Sequence, residues 1–102
     1  MIKHIVLWKF LDEAEGHTKA ENMDIIKDGL TALLPIIPQI RSFEIGKDVL
    51  HSEMSYDMAL IMTFDSLDDL DLYKNHPEHQ KVAAYVKKVR VGRVSADFVI
   101  ES

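Results

Sequence analysis

Ile2-Lys3-His4-Ile5-Val6-Leu7-Trp8-Lys9-Phe10 is the stretch from which the fold can be read. Its β-branched and aromatic residues suit a strand. Alternation puts His4, Val6, Trp8 and Phe10 on one side and Ile5 and Leu7 on the other. A strand that is apolar on both sides is covered on both sides. Residues 58–64 repeat the pattern, with Met58, Leu60, Met62 and Phe64 on one face and Ala59 and Ile61 on the other. A chain of 102 residues has one domain's worth of helix, enough for one face of such a sheet. The other face calls for a partner chain, and a second copy of this one is the expected cover.

Working outward, Thr18 and Glu21 have the spacing of a capping box. Ala20, Met23, Ile26, Leu30, Leu33 and Leu34 then form a helical stripe, which Pro35 and Pro38 end. Gly29 weakens that helix by roughly 1 kcal/mol relative to alanine. Residues 40–47 read as a second strand, less buried because Arg41, Glu44 and Lys47 interrupt it, and residues 51–56 as a polar loop. After the strand at 58–64, Ser66 caps a short acidic helix carrying Leu67, Leu70 and Tyr73. A helix opened by Pro77 and a strand over 91–100 complete the order β-α-β-β-α-α-β. One domain over residues 1–102 satisfies this order: an α+β, ferredoxin-like, four-stranded antiparallel sheet with helices on one face.

The chemistry gathers at Tyr73-Lys74-Asn75-His76-Pro77-Glu78-His79. Pro77 suits the first helical position, since its missing N–H is not needed there. His79 falls in the first turn and continues the inward stripe of Val82, Val86 and Val89. The positive end of the helix dipole disfavours imidazolium, so a neutral histidine able to accept a proton is expected beside Tyr73 and His76. The competing reading makes His76 a cap or turn residue and His79 a core-edge histidine bonded to a carbonyl. Metal binding is the weakest reading, because two histidines at i, i+3 without cysteine or a second ligand cluster do not complete a zinc site.

The charge of −5 argues against nucleic acid and anionic membranes as partners. With no cysteine there is neither a disulfide scaffold nor thiol chemistry. The apolar run at the N-terminus is too short for a signal peptide or a membrane span, which makes a cytoplasmic location the expectation. Lys87, Lys88 and Arg90 read as a solvated helix face. No nucleotide fingerprint or activated serine appears, so no cofactor is expected.

Lys3 to Phe10, Ile36-Ile37-Pro38, Gly46-Lys47-Asp48, Thr63-Phe64-Asp65-Ser66, Tyr73 with His76-Pro77-Glu78-His79, and Asp97-Phe98 stand in one register. Together they resemble the stress-responsive dimeric A/B barrel family over almost the whole chain. The resemblance implies a dimeric α+β barrel, made by two sheets packed face to face. It also implies roles like those in the family's plant polyketide cyclases of the olivetolic acid type. There His79 would be the catalytic base and Tyr73 its assistant, with His4 in the pocket. Val6, Trp8, Leu60, Met62, His76 and Val82 would complete the substrate-binding set. Met58 and Leu30 replace a histidine and a tyrosine of those cyclases, and Trp8 is bulkier than its counterpart, so a smaller and less polar pocket is implied. Asp97 is expected to pair a basic residue across the dimer or to accept a backbone N–H.

Three functions follow from these readings. The first is a cofactor-free, cyclase- or lyase-like enzyme that moves protons on a carbonyl compound. The second is a binding protein for a small apolar or carbonyl-containing ligand, without turnover. The third is a stress-responsive structural protein whose role is the dimer.

Overall fold

A computed structural model describes residues 1–101. The chain runs β1 (Ile2–Phe10), β2 (Glu13–Ala14), β3 (His17–Thr18), α1 (Lys19–Thr31), β4 (Ser42–Lys47), β5 (Met58–Phe64), α2 (Leu67–Asn75), α3 (Pro77–Val89) and β6 (Arg90–Val99). Strands β4-β5-β1-β6 lie in that order in one antiparallel sheet, the ferredoxin-like arrangement expected from the sequence. Alternation on β1 is strict: Ile2, His4, Val6, Trp8 and Phe10 are buried, while the residues between them are half-buried. The buried set joins Met58, Leu60, Met62 and Phe64 of β5 under the helices. On the opposite face Ile5, Leu7, Ala59 and Ile61 are only half-buried, and Val94 and Phe98 of β6 are exposed.

Local chemistry sets the element ends. The Thr18 and Glu21 capping box forms as its spacing requires, and the Ser66 hydroxyl accepts from the Asp69 N–H at 3.1 Å. Helix α1 stops at Thr31, before the last two leucines of its stripe: Pro35 has no N–H to give the Thr31 carbonyl and its ring crowds it, and the Leu34 N–H bonds that carbonyl instead. Leu33 nevertheless stays buried through a tight turn in which the Ile37 N–H donates to the Leu33 carbonyl at 2.8 Å. The strand expected from residue 40 begins at Ser42, with Ile40 buried just before it.

The ribbon of β2 and β3 is the unexpected element. Glu15 (φ 51°) and Gly16 (φ 77°) give the two consecutive positive φ values of a tight hairpin, which puts His17 on a strand. Fully buried Asn22 ties the ribbon down: its Nδ2 donates to the Ala14 carbonyl at 3.1 Å, and its Oδ1 accepts from the Tyr85 hydroxyl at 2.5 Å. Gly29 has a packing reason, since a Cβ there would lie 3.3 Å from Val82 of α3.

Asn22 joins ribbon, α1 and α3, so its truncation would strand two partners at once. Asn22→Ala should lower stability by about 1–3 kcal/mol. The check is the denaturant midpoint at fixed protein concentration, with Asp28→Ala on the exposed side of α1 as control.

Candidate functional site

The junction of α2 and α3 builds the site. Pro77 obliges His76 to stay extended (φ −65°, ψ 132°), so α2 must end there and α3 must start anew. His76 serves both helices. Its N–H closes α2 on the Tyr73 carbonyl at 3.2 Å, and its Nδ1 accepts from the Glu78 N–H at 3.1 Å. His76 is therefore a cap, and it does not line the cavity beside it. The Lys74 carbonyl faces His79, whose Nδ1 donates to it at 3.1 Å. A carbonyl can only accept, so Nδ1 carries the proton and Nε2 keeps its lone pair.

His79 stacks on Tyr73 with ring centroids 4.2 Å apart, and Tyr73 meets His4 edge-on at 6.2 Å. Tyr73 is almost fully buried and its hydroxyl makes no hydrogen bond among the described residues. Every enclosed side-chain polar atom there has a partner, so the hydroxyl opens onto the adjacent cavity. The same reasoning applies to Nε2 of buried His4, whose Nδ1 is bound to Asp97. Asp97 thus pairs with a histidine of its own chain, directly across the β1–β6 register.

The cavity has a volume of about 100 Å³. Of the residues expected from the sequence, His4, Val6, Trp8, Leu60, Tyr73, His79 and Val82 line it, and Leu30 adds a further apolar wall. Met62, fully buried in the core, does not. Lys87, Arg90 and Arg93 do line it: the first two were expected on a solvated helix face, and Arg93 was given no role from the sequence. The signal was the alternation of β6. With Val94, Ala96 and Phe98 on the open face, Arg93 and Asp97 must share the helix face with His4 and Trp8.

A larger cavity of about 510 Å³ lies on the open face of the sheet, between Leu7, Ala59 and Ile61 and the loop residues Met54 and Tyr56. No histidine lines it, so the smaller cavity is the better candidate for chemistry. Among the described residues no three His, Asp or Glu side chains are grouped to hold a metal ion.

Burial pushes both site histidines below the ordinary imidazole value. At His4 the hydrogen bond and charge of Asp97 oppose burial without reversing it. At His79 the Lys74 carbonyl opposes it, while His4, Arg93 and Lys74 add to it. Burial raises the Tyr73 phenol, and Arg93 pulls slightly the other way. The site near neutral pH therefore holds two neutral imidazoles with free Nε2 atoms and one neutral hydroxyl, beside fixed positive charge.

Residues 2–100 match the model of the Stress responsive A/B Barrel Domain (Dabb). The chain belongs to the Dabb family. Among solved structures, this Dabb chain is similar to a dimeric protein of ferredoxin-like fold from Bacteroides fragilis. The two are 32% identical over 97% of this chain and 95% of the other, with a TM-score of 0.86. A dimeric ferredoxin-like protein from Thermobifida fusca is 24% identical over 97% of this chain and 90% of its own, with a TM-score of 0.83. The hydroxynitrile lyase of Passiflora edulis is 18% identical over 98% and 93% of the two chains, with a TM-score of 0.80. At that identity the lyase shares the fold with this Dabb chain, and its chemistry does not carry over. No curated protein matches the sequence. No helix of this Dabb chain is long and apolar enough to cross a membrane.

Titration of the imidazole NMR signals should place His4 and His79 below the usual value of about 6.5. Asp97→Asn removes the contact that holds His4 up and should lower it further. Linkage gives the matching sign for stability. The unfolded chain takes up these protons first, so the contribution of both groups is present above about pH 6.5 and is lost as pH falls through their lower folded values.

Proposed function

We propose that this Dabb protein is a homodimer whose pocket performs cofactor-free acid–base chemistry on a small carbonyl compound, with His79 as base and Tyr73 as its partner. One observation carries the reading: His79, with Nδ1 tied to the Lys74 carbonyl, keeps its Nε2 lone pair beside a neutral, unpartnered Tyr73 hydroxyl at a cavity. Nε2 takes the proton from the carbon next to the carbonyl. The C–H electron pair becomes the enolate π bond, and the enolate oxygen accepts a hydrogen bond from Tyr73. The imidazolium then returns the proton to carbon or passes it to a leaving or forming alcohol, which is the common step of lyase- and cyclase-type reactions. His4, oriented by Asp97, offers a second Nε2 for holding the substrate or relaying the proton. Near-neutral imidazole is the form this work needs, and burial keeps it so.

Binding without turnover is the competing reading, and the cavity volume of about 100 Å³ favours it. So small a space admits a compact ligand, while most small-molecule sites enclose roughly 300–1,000 Å³.

The dimer is supported by the half-buried row of Ile5, Leu7, Ala59 and Ile61, bordered by exposed Val94 and Phe98. Contiguous apolar surface of this kind marks an interaction site. The similar proteins from Bacteroides fragilis and Thermobifida fusca are described as dimeric.

Deuterium exchange at carbon next to the carbonyl of small ketones and keto acids, followed by NMR, tests the chemistry without naming a substrate in advance. His79→Ala should slow protein-dependent exchange by about 10²–10⁴-fold. Tyr73→Phe should slow it as well, and His17→Ala should leave it unchanged. Exchange that survives His79→Ala at full rate makes His79 structural, and the absence of protein-dependent exchange with any probe leaves binding alone. Separately, Leu7→Glu should convert the dimer to monomer in light scattering at micromolar concentration. A wild-type monomer under those conditions would reject the dimer.

A further inference from the structure

The cavity carries positive charge that the proposed proton transfer does not use. Lys87 and Arg90 approach it from the C-terminal end of α3, and Arg93 from β6, opposite Trp8. No aspartate or glutamate lines it. This is unusual in a chain with 17 acidic and 12 basic residues. Of the three arginines, Arg41 holds Asp65 at 2.8 Å, and among the lysines Lys47 holds Asp24 at 2.5 Å and Lys81 holds Glu78 at 2.9 Å. Arg90 and Arg93 have no such partner among the described residues, and both line this one cavity. The Arg93 guanidinium donates to the Ser95 hydroxyl at a long 3.4 Å.

Helix polarity accounts for part of this cluster, since a basic residue in the last turn of α3 complements the helix dipole. That reason covers Lys87. It does not cover Arg93, which stands on a strand and acts electrostatically on His4, Tyr73 and His79 together. A guanidinium matches a carboxylate through two parallel N–H donors.

We infer that the pocket takes a small carboxylate, a keto acid in the acid–base reading above, with Arg93 as the residue that selects the anion and Lys87 and Arg90 at its side. The carbonyl end of the ligand enters toward Tyr73 and His79, and the carboxylate stays at the cationic rim. This deepens the proposed function by naming the substrate class, and it rests on the same site.

The test compares 2-oxobutanoate with its neutral isostere 2-oxobutanamide by NMR titration of the full chain. The acid should bind at least about 10-fold more tightly than the amide, as expected for a charge-assisted pair. Arg93→Gln should abolish that preference and Arg93→Lys should keep part of it, whereas Arg41→Gln should change nothing. Arg93 is exposed and makes a single weak hydrogen bond, so its replacement leaves the fold intact. His79→Ala separates the two readings: it should remove exchange and retain the preference for the acid. Equal binding of acid and amide, an unchanged preference in Arg93→Gln, or no binding of the acid at millimolar concentration would overturn the inference.

Discussion

Strand β1 is hydrogen-bonded along both edges, so it cannot slip by one residue without breaking two ladders and turning every side chain over. That double pairing fixes His4 between Met62 and Asp97, and Trp8 between Met58 and Arg93. The site inherits its order from this register. Asp97 reaches His4 because the two are cross-strand partners, and Arg93 enters the cavity because it shares the face of Trp8. A single bulge near Lys9 and Phe10 absorbs the mismatch where β6 leaves α3, so the rest of the register stays regular.

The second constraint is the ring of Pro77. By forbidding a continuous helix it turns one long segment into two, and it leaves the end of α2 facing the start of α3. The Lys74 carbonyl, a helix-end acceptor with no helical partner, becomes the group that sets the tautomer of His79. Backbone geometry thus selects which imidazole nitrogen stays free, with no second charged side chain at that atom. Asp97 does the corresponding work at His4.

Much of this was legible in the chain. The period-two pattern of residues 2–10 and 58–64 gave the sheet and its two kinds of face, and the cap residues Thr18, Ser66 and Pro77 gave the helix starts within a residue. His4, Tyr73 and His79 were found by pattern and by the family resemblance together. The ribbon at residues 13–18 was not legible, because two-residue strands leave no periodic trace. Met62 was placed on the correct face but under the core, since strand alternation gives the face and not the depth. Arg93 was missed for a different reason. Positive charge near a chain end reads as solvated surface until cross-strand register shows which face it shares.

One consequence lies in the position of β6. It is one of the two edge strands of the sheet, ten residues long, and its outer row of N–H and C=O groups has no strand neighbour among the described residues. Such an edge is a template for strand addition and so for aggregation. The charges of Arg90, Arg93 and Asp97 along it oppose that pairing, as Lys and Arg do on many natural edge strands. The same residues therefore act as gatekeepers of solubility, which limits how freely an arginine there can be exchanged for an apolar residue.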